Sequence, residues 1–101
     1  MQVVVSDVPL ENKTRDLIVQ LFLDDGQSYA MSYRYFEDVV NQYVVGIEAV
    51  IRLETLIIFR TILKHLQDSG LEEDAQKAFR DYAVEHEICT AEEFDNPHAK
   101  T

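Results

Sequence analysis

The stretch from Tyr35 to Leu66 holds no proline, a single glycine (Gly46) and apolar residues on almost every turn. As one continuous helix it would be about 48 Å long, at about 1.5 Å per residue. A compact globule of this chain length has a radius of gyration of about 13 Å. Such a helix would project beyond anything one copy of the chain could wrap around it. Either it breaks or a partner covers it, and the sequence reading takes the second course, a homodimer.

With 101 residues the chain has room for one modest core, read as a single helical domain over 1–96 with 97–101 as a flexible tail. Nineteen acidic residues against nine basic ones leave a formal net charge of −10. That balance opposes direct contact with nucleic-acid phosphates or anionic lipid and favours a basic protein partner. The acid is unevenly placed: Met1 to Gln67 carries nine acidic and six basic residues, Asp68 to Thr101 ten and three. The C-terminal third therefore carries the field. The lone Cys89 has no intramolecular partner for a disulfide, and no basic segment followed by an apolar one opens the chain, so the cytoplasm is the expected compartment. The long apolar run is not read as a membrane span, because Glu48, Arg52, Glu54 and Arg60 interrupt it, each unfavourable by about 2.5 to 3.5 kcal/mol near a bilayer centre.

Val3, Val4 and Val5 form a β-branched run that fits a short N-terminal strand or extended arm. From Pro9, the residues Leu10, Leu17, Ile18, Leu21 and Phe22 recur at helical spacing, with Asp7 placed as a cap and Pro9 tolerated in the first turn. This predicts a helix from Pro9 to Asp24, stopped at Asp25-Gly26. A second reading makes Leu17 to Leu23 and Ser28 to Phe36 a hairpin, since Tyr29, Tyr33, Tyr35 and Phe36 favour strands. It is placed second because Leu17 to Leu23 lacks clean alternation and Tyr29, Tyr33 and Phe36 also share a helical face.

From Ser28 or Ser32 the pattern is read as helical to Gln67, closing at Asp68-Ser69-Gly70. On a helical wheel Val40, Tyr43, Ile47, Val50, Ile51, Ile58 and Ile62 crowd one side, while Glu37, Asn41, Glu48, Arg52 and Thr55 share another. Gly46 is expected inside this helix or at a bend, where the missing side chain lets another helix approach. Leu71 to Ile88 reads as a further amphipathic helix, with acids in its first turn where they suit the helix dipole. Thr90-Ala91-Glu92-Glu93 has the capping-box form and predicts a short last helix before Pro97. The expected fold class is thus all-α, a small bundle around one long central helix with an N-terminal strand or arm.

Glu54 falls in the middle of the apolar face, and a buried carboxylate needs a partner or it protonates. Glu54 is read first as reaching solvent or pairing locally with Arg52 or Arg60, and second as paired at a dimer interface: His65 lies on nearly the same side of the helix but about 16 Å along the axis, so those two could meet across an antiparallel dimer. The expected dimer interface is accordingly Val50, Glu54, Ile57, Ile58, Ile62 and His65. Arg60 and His65 are separated by four residues, Thr61-Ile62-Leu63-Lys64. In that spacing the chain resembles the HEPN-type ribonucleases, which are small helical dimers. The resemblance implies that Arg60 and His65 of two copies converge on RNA, with Thr61 in the place of the polar residue that usually follows the arginine. Arg80 and His86 show a similar spacing, and the acidic surface opposes an RNA substrate.

No metal or cofactor is expected. His65, His86 and His98 are far apart, Glu85-His86-Glu87 spreads its side chains by about 100° each around a helix, and no Glu-x-x-His pair occurs. Asp68-Ser69-Gly70-Leu71 is similar to the serine attachment site of acyl carrier proteins, but Gly70 departs from that family's leucine and the segment reads as a helix stop. Acidic Glu85, Glu87 and Glu92 near Cys89 disfavour thiolate, and three scattered glycines make no phosphate loop. The expected function is non-enzymatic: a small, acidic regulator or inhibitor, phage-like in character, engaging a basic and nucleic-acid-binding site on its target through Glu72, Glu73, Asp74, Asp81 and Glu85. The alternatives are the HEPN-like ribonuclease and a structural assembly or chaperone subunit.

Overall fold

The computed structural model describes residues 1–42 and 46–96. Three strands, β1 (Gln2–Pro9), β2 (Thr14–Phe22) and β3 (Ser28–Phe36), form an antiparallel meander in the order β1-β2-β3. Four helices follow: α1 (Glu37–Asn41), α2 (Gly46–Leu66), α3 (Glu72–Glu85) and α4 (Ala91–Asp95). The fold is therefore α+β, which overturns the all-α expectation. The helix expected from Pro9 to Asp24 is replaced by the end of β1 and the whole of β2, and the hairpin reading holds for Leu17 to Phe36.

The cause lies in β2. Leu17, Val19, Leu21 and Leu23 are buried, a strict two-residue alternation. Ile18 and Phe22 stand on the opposite face, so the sequence shows an almost unbroken apolar run and the period is masked. In β3 Tyr29, Met31 and Tyr35 lie toward the core while Ser28, Ala30, Ser32 and Arg34 lie on the exposed face; Tyr33, on the side of Tyr35, is 41% exposed. Between β2 and β3 the loop Asp24-Asp25-Gly26 closes with the Leu23 N–H donating to the Gln27 carbonyl at 2.8 Å. Gly26, at φ +90°, takes the left-handed position that a three-residue hairpin loop requires, and Asp25 accepts from the Gln27 N–H.

The long apolar run does break. Tyr35 and Phe36 end β3, α1 is five residues long, and α2 begins only at Gly46. At 21 residues α2 is about 32 Å long, within the molecule's 41 Å longest extent. It packs on the sheet and on α3 of its own chain, and leaves Leu53 57% and Ile57 47% exposed. Gly46 has φ +75°, and a Cβ added there would meet nothing within 4 Å. Its role is backbone conformation, and the expected close approach of another helix is not what selects glycine. Tyr43, the expected tail 97–101 and His98 lie outside the described residues.

The helices cover one sheet face. Ile58, Phe59, Ile62 and Leu66 of α2 join Ala75, Phe79 and Ala83 of α3, Phe94 of α4, and Leu17, Val19 and Leu21 of β2 in the core. Phe59 stacks on Phe79 with centroids 4.4 Å apart and meets the Tyr82 ring edge-on. Thr55, expected on the polar side, is fully buried and satisfies its hydroxyl by donating to the Ile51 carbonyl at 2.6 Å. The expected stop at Gly70 is present at φ +80°. The capping box of Thr90 and Glu93 also forms as its sequence indicates.

Candidate protein interaction surfaces

Asp7, expected as a helix cap, sits instead in β1 beside Arg15 and Tyr35. The Arg15 guanidinium donates to Asp7 at 2.9–3.0 Å and to Glu37 at 2.7 Å, and the Tyr35 hydroxyl donates to the other Asp7 oxygen at 3.0 Å. These bonds hold the Arg15 pKa above its ordinary value, while burial first and Asp7 second push Tyr35 up to about 12. Every group in the cluster is engaged, so it ties the start of α1 to the end of the sheet. Sequence reading missed it because its members come from three strands and a helix start, and no spacing links them.

Along α2, positions 50, 54, 57, 61 and 65 fall on one stripe by helical spacing. Val50 and Glu54 share a hollow with Tyr33, Arg34, Tyr35, Phe36, Val39 and Val40, of about 340 Å³. Ile57, Thr61 and His65 share the next hollow with Arg60 and Lys64. Of the expected interface residues, Val50, Glu54, Ile57 and His65 thus lie on this open flank. Ile58 and Ile62 do not: they are 5% and 2% exposed in the chain's own core. Phe36, Val39 and Ile57 add exposed apolar surface on this side. Glu54 is half-buried and makes no ion pair or hydrogen bond among the described residues, with neither Arg52 nor Arg60 as partner.

The acidic residues expected to bind a partner all stand on α3. Glu73, Asp74, Asp81 and Glu85 are exposed and Glu72 half-exposed, while Ala75, Phe79 and Ala83 hold the opposite face in the core. None of the five makes an ion pair among the described residues. The outer face of α3 is an array of free carboxylates broken by Lys77, with Arg80 turned to Asp95 at 3.2 Å.

The chemical candidates are dispersed. Arg60 donates to the Phe94 carbonyl at 3.2 Å and lies over the Phe94 ring, so α4 holds it on the α3 side of α2. Five residues on, His65 is about 140° around the helix; the two residues border the same hollow with Ile57, Thr61 and Lys64, but the Arg60 guanidinium is turned away to Phe94. The sheet also departs from the all-helical frame that the HEPN resemblance implies. Burial, chiefly, and Glu93 push the Cys89 thiol up, away from the reactive thiolate. Ser69 closes α2 by donating to the Leu66 carbonyl at 2.7 Å. Among the described residues no group of three His, Cys, Asp or Glu side chains is arranged to hold a metal, and no helix is long and apolar enough to cross a membrane. Comparison of the chain with family models, curated proteins and solved structures returns no match.

Proposed function

We propose that this protein acts in the cytoplasm by binding another protein, as a small regulator or inhibitor without chemistry of its own. Its binding face is the outer side of α3, and its target presents a basic surface of the kind that otherwise holds nucleic acid. The observation that carries this reading is the array of Glu72, Glu73, Asp74, Asp81 and Glu85, exposed or half-exposed and unpaired among the described residues, on a helix whose other face is locked into the core. Free carboxylates on a rigid element attract a basic partner over a distance and then orient it. The attraction weakens as salt shortens the screening length to about 8 Å at physiological strength.

The test is affinity capture from the native cell with wild type and with Glu72→Gln, Glu73→Gln, Asp74→Asn and Asp81→Asn combined. A basic protein held by wild type and lost by the variant supports the reading, as does association that slows several-fold with added salt. The variant's circular dichroism should be unchanged, because none of the four side chains is in the core. Equal capture by both proteins, at equal rates in low and high salt, would make α3 solubilising surface only.

A further inference from the structure

We propose that the free edge of β3 and the adjoining flank of α2 form one surface that binds a second copy of the chain about a two-fold axis. The two sheets would join into one of six strands, and the two α2 helices would lie antiparallel, side by side. This inference is independent of the reading of α3.

The two edges of the sheet differ. β1 ends in Pro9 and has α3 against it, with the Tyr82 phenol at the Val5 backbone. β3 has none of the devices that keep an edge from pairing: its nine residues contain no proline and no glycine, and its register with β2 runs without a bulge from Phe36 to Ser28. Its one charge, Arg34, is tied to Asp16 of its own sheet by two bonds of 2.8 and 3.2 Å. It carries no carboxylate, in a chain with nineteen. This edge is therefore where the mutual repulsion of two copies, each at −10, is weakest.

The flank of α2 supplies the reason for a second copy in particular. Its N-terminal half carries Glu54, whereas from Thr55 to Leu66 the helix has no acid; Lys64 and His65 border the hollow there, and Arg60 beside them is turned to Phe94. Arg52 points elsewhere, about 200° around the helix from Glu54. A two-fold axis lays the acidic end of one such flank against the basic end of the other, twice over. The same surface is then its own complement, as an isologous interface requires.

The spacing agrees. α2 lies over β2 and β3, so its axis stands roughly half a strand spacing inside the sheet edge. With strands about 4.8 Å apart, edge pairing brings the two helices to about 10 Å, at the outer end of the usual contact range of about 8–10 Å. Ile57, 47% exposed in one copy, then meets its counterpart near the axis.

The decisive experiment is a charge-exchange cycle read by sedimentation equilibrium of the full chain. Wild type should dimerise in the micromolar range. Glu54→Lys, which sets a cation against Lys64 of the other copy, and His65→Glu, which sets a carboxylate against Glu54 of the other copy, should each weaken the dimer about tenfold through two symmetric contacts. The pair Glu54→Lys with His65→Glu should restore it, and these two positions are about 16 Å apart on one helix, so the restoration can arise only between copies. Both side chains stand outside the core, and unchanged circular dichroism will separate loss of dimer from loss of fold. A wild type that stays monomeric at 100 μM (about fifty times a low-micromolar constant) would overturn the proposal. A double variant no tighter than the single ones would overturn it equally.

Discussion

Glu87 shows how far one residue can depart from its local rule. At φ +57° it occupies the left-handed position just past α3, where the Ile88 N–H reaches back to the Ala83 carbonyl at 2.8 Å and its own N–H to Val84 at 3.2 Å. Glycine is the usual occupant, since a Cβ there costs about 1–2 kcal/mol. Glu87→Gly should therefore stabilise the fold by about 0.5–1 kcal/mol, the added chain entropy of glycine offsetting part of the relief, as a higher urea midpoint will show. Gly46→Ala should act in the opposite sense by a similar amount, because alanine would inherit φ +75° at the start of α2. Asp16 makes a prediction in pH. The Arg34 hydrogen bonds hold its pKa below the ordinary 3.8, so its contribution to stability is complete above that value and vanishes as the pH falls through the lower folded one. The difference in urea midpoint between wild type and Asp16→Asn should accordingly shrink as the pH is lowered past 3.8.

At the level of elements, α3 and α4 were legible in the sequence because their signals are local. The acids of the first turn, the glycine stop before α3 and the Thr90–Glu93 box all act within one or two turns. The sheet was harder to read. Ile18 and Phe22 place apolar groups on the outer face of β2, so burial on one side leaves no trace in the pattern, and Pro9 stands where a helix start and a strand end are equally acceptable. Apolar residues of β3 alternate in the sequence, but Tyr29, Tyr33 and Phe36 also share a helical face, and only pairing with β2 separates the two periods. Packing energy is concentrated where elements meet. Phe79 is fully buried against Phe59, so Phe79→Ala should lower stability by about 3–5 kcal/mol, enough to lose the cooperative unfolding transition of a marginal domain.

For the molecule as a whole, the sequence placed the unbalanced charge on α3 and the open apolar flank on α2, but could not divide α2 between core and surface. Ile58 and Ile62 share the flank's period within a turn, and which stripe faces the sheet depends on a sheet that the pattern hid. That layering predicts a ranking of amide exchange. The Leu17, Val19 and Leu21 region of β2, paired on both sides, should exchange most slowly, and hydrogen exchange read by mass spectrometry should find the ends of β1 faster. Cys89 offers a direct view of the opposite corner. It is the chain's one thiol, half-buried where α3 hands over to α4, and is packed against the core. Local opening of that corner exposes its sulfur further, so the rate of maleimide labelling, referred to that of the unfolded chain, reports how often the corner opens. The probe is native to the protein and none of the variants proposed above removes it, so it can time whether a partner seated on α3 slows the corner from opening.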